Sequence, residues 1–104
     1  MAWLVLVVSG VLEAVWATAL SRSDGFTRLG PSVIFGVALL FSMTGLAVAM
    51  RSLPTGTSYA VWVGIGAVLT VCYAMVTGDE PASLVKMLLI AGIVGCVVGL
   101  KLVS

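Results

Sequence analysis

The chain has no histidine, two cysteines, three prolines, and only five Lys or Arg and four Asp or Glu among 104 residues. Without histidine, without clustered acids in any apolar segment and without a phosphate-binding glycine loop, neither a metal centre nor nucleotide hydrolysis is expected. No cofactor is expected either, and a net charge of +1 gives no basic patch for nucleic acid. Cys72 and Cys96 both fall inside apolar runs, with neither metal spacing nor a disulfide framework, and read as packing residues. A soluble domain has about a quarter of its residues charged. Here 9% are charged and 62% hydrophobic, which makes this a membrane protein.

What the chain does have is continuous apolar sequence, punctuated by its few charges. Met1 to Ser21 carries only Glu13, while Leu29 to Met50, Ser52 to Gly78 and Met87 to Leu100 carry no charge. A spanning helix needs about 20 mainly apolar residues. Four spans therefore fit, at roughly 3–21, 30–50, 56–77 and 82–102. The runs do not alternate, which argues against a β-barrel. The fold class is all-α: a polytopic membrane protein of four transmembrane helices in one domain, 1–104. The fourth span is the tightest, with Lys86 and Lys101 placed to snorkel toward opposite interfaces. The first is not read as a secretory signal, because it lacks a basic leading region and carries a mid-span acid.

The breaks between spans have turn chemistry. Ser21-Arg22-Ser23-Asp24-Gly25 closes helix 1, with glycine supplying the reversal. Pro31 suits the opening turn of helix 2 and Pro54 the start of helix 3. Asp79-Glu80-Pro81 has the acids and proline of a helix N-terminus.

Glu13 is the residue that calls for a function. A carboxylate near the middle of a bilayer costs roughly 2.5 kcal/mol or more, so such a group reads first as a proton- or cation-handling site. Helical spacing places Ser9 and Gly10 one turn before it and Trp16 and Ala17 one turn after. Small residues at 9, 10 and 17 permit close approach of another helix or a substrate. Trp16 brings an indole N–H that can orient a carboxylate, or else serves as a packing aromatic. Ser42 and Thr44 lie mid-way along helix 2, where a hydroxyl most often bonds back to the preceding turn. Tyr59 and Trp62 share one face of helix 3 and can wall a cation site. Gly64 and Gly66 follow as a bend or packing position, and Gly92, Gly95 and Gly99 on helix 4 read as a helix–helix association face.

Four spans place both termini and the 51–55 loop on one side, with loops 22–29 and 78–86 on the other. Arg51 and Lys101 then stand against Arg22, Arg28 and Lys86. Two against three barely selects an orientation by the positive-inside rule. Such balance is expected of a chain that inserts both ways up, for which an antiparallel pair would reproduce an inverted repeat, or else of a chain with a weakly biased single orientation. A second copy would also add a second Glu13 facing a shared cavity.

These residues resemble the small multidrug resistance family over essentially the full length. The resemblance is carried by Glu13, Gly25-Phe26-Thr27-Arg28-Leu29, Pro31-Ser32, Leu53-Pro54-Thr55-Gly56-Thr57, and above all Tyr59-Ala60-Val61-Trp62 with Gly64-Ile65-Gly66. Trp16 one turn after the acid, Glu80-Pro81 and Gly99-Leu100-Lys101 are similar to the guanidinium-exporter subtype. The resemblance implies an antiparallel homodimer of dual topology in the cytoplasmic (inner) membrane. It implies exchange of protons for guanidinium-type cations and no enzymatic activity. It also implies that Glu13 binds proton or substrate, that Trp16 and Ser42 hold its carboxylate, that Tyr59 contacts the site across the dimer and that Trp62 lines it. Ser21-Arg22, Met43 and Thr77-Gly78-Asp79 depart from the subtype's usual residues, which leaves substrate breadth open. The alternatives are a broader multidrug or quaternary ammonium exporter of the same family, one half of a heteromeric pair, and a structural membrane subunit that transports nothing.

Overall fold

A computed structural model describes residues 2–103. It has four helices: α1 (Ala2–Arg22), α2 (Leu29–Ala49), α3 (Thr55–Thr77) and α4 (Leu84–Val103), with no strand among the described residues. Each is long and apolar enough to cross a membrane. At 1.5 Å per residue, 20 to 23 residues span about 30 Å, the thickness of a bilayer's hydrocarbon core. The short loops make neighbouring helices antiparallel, and the protomer is a slab measuring 41 × 34 × 17 Å.

The first three spans lie within a residue of their expected bounds, but α4 begins at Leu84 rather than 82. Asp79, Glu80 and Pro81 therefore precede the helix instead of opening it. The reason is Ser83, whose Oγ accepts the Lys86 N–H at 3.1 Å and so caps the first turn. Glu80 instead pairs with Lys86 Nζ at 3.2 Å. Pro31 lies in the first turn of α2 and Pro54 caps α3, as their missing N–H groups favour.

The turn after α1 is built around Ser23, which is fully buried. Its Oγ donates to the Leu20 carbonyl at 2.8 Å and accepts the Phe26 N–H at 3.2 Å. Its carbonyl accepts from Thr27 and Arg28 at 2.9 and 3.0 Å. The reversal spreads over three left-handed residues, Asp24, Gly25 and Phe26, where the sequence suggested glycine alone. The Phe26 ring packs edge-on against Phe35. At the end of α3, Gly78 takes φ +83°, the left-handed stop that glycine adopts without a Cβ penalty.

Packing is uneven. α1 lies against both α2 and α3, whereas α4 rests on α3 and buries none of its residues among those described. The core is Leu6, Leu46, Ala49, Val61 and Trp62, joined by Val97 and Leu100. All belong to the half of the slab nearest the 51–54 turn. The opposite half is looser and holds a groove of about 670 Å³ between α1, α2 and α3, lined by Val15, Thr18, Ile34, Leu69, Tyr73 and Val76, among others. Arg22 stands at its end, paired with Asp79 at 3.3 Å and 5.7 Å from the Tyr73 ring. Cys72 borders this groove partly buried, while Cys96 is exposed in the protomer; both are free thiols.

Candidate functional site

Glu13 sits at the boundary between the packed and the loose half. Its helix comes close to α3 because glycines line the contact. A Cβ added at Gly10 would stand 2.7 Å from Ile65 Cγ2, and one added at Gly66 would collide with the Glu13 carboxylate itself. Gly66 thus provides the space in which the carboxylate lies. Gly64 performs the same service for α4, since a Cβ there would be 2.6 Å from Val97 Cγ2. All three glycines act here as close-approach positions.

Glu13 Oε1 is enclosed and has no hydrogen-bond partner among the described residues. One turn on, Trp16 Nε1 is likewise enclosed without a partner, its ring edge-on to Phe35 at 5.9 Å. A buried acceptor and a buried donor, each unsatisfied, stand within one helical turn of each other. Leaving such groups unpaired costs about 1–3 kcal/mol each, more for a charge. The arrangement can take a proton or a cationic donor at the carboxylate, and an acceptor at the indole.

Ser42 and Trp62 are brought together, and both are buried. Trp62 Nε1 donates to Ser42 Oγ at 3.2 Å, and Ser42 Oγ donates to the Ser9 carbonyl at 2.7 Å. Ser42 therefore does not bond back into its own helix. Thr44, two residues on, does so, donating to the Leu40 carbonyl at 2.7 Å. A hydroxyl has one proton, and that of Ser42 goes to Ser9; Trp16 Nε1 has no partner among the described residues, so in this arrangement neither donates to Glu13. The Ser9 carbonyl is also the acceptor, four residues back, of the Glu13 N–H in the helix ladder. Ser42 and Trp62 thus reach Glu13 through the backbone of its own turn.

Tyr59 stacks on Trp62 with ring centroids 5.9 Å apart at 34°, yet remains 55% exposed and faces out of the protomer. Met43 is exposed as well. Gly92, Gly95 and Gly99 have nothing within 4 Å of where a Cβ would sit, so within the protomer they pack against no neighbour. Ser9 and Gly45 enter the site without having been singled out for it. Ser9 is noticeable in the sequence only as a small residue, and its partner in Ser42 lies 33 positions away.

Residues 1–93 match the model of the small multidrug resistance protein family. The chain is 51% identical over 104 residues to a guanidinium exporter of Yersinia pseudotuberculosis serotype I (strain IP32953), covering the whole of both chains. It is 47% identical over 104 residues, again the whole of both, to a guanidinium exporter of Proteus vulgaris. A guanidinium exporter of Escherichia coli (strain K12) is 49% identical over 102 residues, covering 98% of this chain and 97% of that one. Four membrane-length helices, a carboxylate set against a helix glycine and full-length likeness to these proteins agree: the chain belongs to the small multidrug resistance family.

Proposed function

We propose that the protein is a proton-coupled antiporter that exports guanidinium or small guanidinyl cations across the cytoplasmic membrane, and that proton and substrate compete for Glu13. The observation that carries this reading is the enclosed Glu13 oxygen with no donor among the described residues. A guanidinium ion is planar, permanently charged and offers paired N–H donors to a carboxylate. A proton satisfies the same oxygen. If only a neutralised site reorients across the bilayer, the two cations exchange without a further gate. The names of the relatives support guanidinium as the cation. This is transport and not catalysis, because no bond of the substrate changes.

The working unit in this reading is an antiparallel homodimer. Near-even loop charge supports insertion in both orientations. The outward-facing Tyr59 supports a contact with the partner's site, and the open faces of Gly92, Gly95 and Gly99 support helix–helix association. Trp62 lines the site beside Ser42, and Trp16 supplies the indole N–H next to the carboxylate.

Proteoliposomes test the proposal. An imposed proton gradient should drive guanidinium uptake by the wild type, and Glu13→Gln should abolish it. Equal transport by the two proteins refutes it. A panel with tetraalkylammonium ions in competition measures the breadth of the site, and preferential transport of those ions would favour the broader exporter.

A further inference from the structure

Ser9 and Gly45 meet in the contact between α1 and α2. The Ser9 hydroxyl donates to the Val5 carbonyl at 2.8 Å, so it spends its proton inside α1 and presents α2 with a compact, folded-back side chain. Its Oγ fills the volume that a Cβ at residue 45 would need, and its own Cβ would stand 3.1 Å from that atom. Ser9 is buried at 2% exposure. The carbonyl of the same residue accepts Ser42 Oγ at 2.7 Å, and Ser42 accepts Trp62 Nε1 at 3.2 Å. Gly45 follows Ser42 by three positions, hence on the same stripe of α2. One small contact therefore carries two consequences: it sets how near α1 comes to α2, and it holds the Ser42–Trp62 pair against the turn that bears Glu13.

We propose that Gly45 is a positioning residue of the cation site, acting through Ser9. Its missing Cβ lets the Ser9 carbonyl reach Ser42, and that bond fixes Ser42 and Trp62 relative to the Glu13 carboxylate. The proposal rests on the reading of Glu13 as the cation site. A methyl group at residue 45 has nowhere to go except against Ser9, so the helices separate or shift. The Ser42 hydroxyl then loses its acceptor and Trp62 its fixed partner, while Glu13 itself is untouched. Misplacement of a positioning group by about 1 Å can cost up to about a hundredfold in rate, and the loss of one hydrogen bond's net contribution corresponds to up to about tenfold in Kd.

Three proteins in lipid bicelles decide it: wild type, Gly45→Ala, and the double variant Ser9→Gly with Gly45→Ala. Two quantities are read on each. Calorimetry with guanidinium chloride gives Kd, and the Trp62 indole ¹H–¹⁵N resonance, assigned with Trp62→Phe, reports the bond to Ser42 in the absence of substrate. Gly45→Ala should raise Kd about tenfold and shift the Trp62 resonance. The double variant, in which the colliding Oγ is gone, should restore both. Wild-type Kd and resonance in Gly45→Ala would overturn the proposal, and so would a double variant that is folded yet restores neither. If Gly45→Ala does not fold, the double variant alone decides, by binding guanidinium as the wild type does or failing to. Absence of guanidinium binding by the wild type would instead refute the reading of Glu13, and the Trp62 resonances would still judge the Ser9–Gly45 contact separately.

Discussion

Gly66 of α3 lies against the Glu13 carboxylate of α1, in the place where any other residue would put its Cβ. The helix that walls the site thus contributes an absence of side chain, and the carboxylate is seated on backbone. Gly66→Ala should displace the carboxylate without removing it. We expect guanidinium transport to fall by about ten- to a hundredfold, with insertion and helix content unchanged. Initial uptake rates in proteoliposomes, normalised to inserted protein, check this; a rate within twofold of the wild type would show that the carboxylate has room to spare.

The Trp62–Ser42 bond should be measurable as a coupling. Ser42→Ala leaves the buried indole N–H without an acceptor and should cost about 1–3 kcal/mol of stability. Trp62→Phe removes donor and ring together. In a double-mutant cycle the two substitutions should be less than additive, by about 1 kcal/mol. Denaturant unfolding of the four proteins in mixed micelles supplies the numbers, and strict additivity would mean that the bond contributes nothing.

Competition at Glu13 fixes the sign of the pH dependence. Protonation consumes the acceptor that guanidinium requires, so affinity must fall as pH falls. Below the titration range of Glu13, Kd should rise at least about tenfold for each pH unit lost: tenfold where one proton is displaced per cation, more where both carboxylates of a pair must be free. Above it, Kd should be flat. Titrations across the pH range check both limbs, and a Kd that improves on acidification would contradict a shared site.

The Arg22–Asp79 pair joins the end of α1 to the segment after α3, but both side chains are substantially exposed. Exposed pairs contribute up to about 1 kcal/mol. Asp79→Asn should therefore lower the melting temperature only slightly and leave transport intact. Arg22→Ala should cost more, because it also removes the guanidinium from the face of Tyr73. Melting curves of the two variants side by side give the comparison.

The spans were legible because the thickness of a bilayer sets their length and the few charges mark their ends. The start of α4 was not, although its signal was present: Ser83 before an apolar run is a capping residue, and Asp79, Glu80 and Pro81 drew the boundary too early. Glu13 stood out because of the cost of its setting. The partners of Ser42 could not be read at all. Spacing rules relate residues within one helix, whereas Ser42 bonds to Ser9 and Trp62 on two others. Gly66 was visible as a small residue of α3, but whether it served a bend, a neighbouring helix or a side chain depended on where α1 would lie.

The five-residue core and the groove occupy opposite ends of the protomer, with Glu13 between them. One end is filled by the core and the other is opened by the groove. A single copy is therefore polar along the membrane normal and would treat the two compartments unequally. Two copies in inverted orientation would cancel that bias, because each membrane face would then meet one filled end and one grooved end. If the chain works as the antiparallel exchanger proposed above, accepting its ion on one side and releasing it on the other by the same movement, it gains from this. The reverse step would then be the forward step seen from the other compartment, carried out by the same residues with the two copies' roles traded.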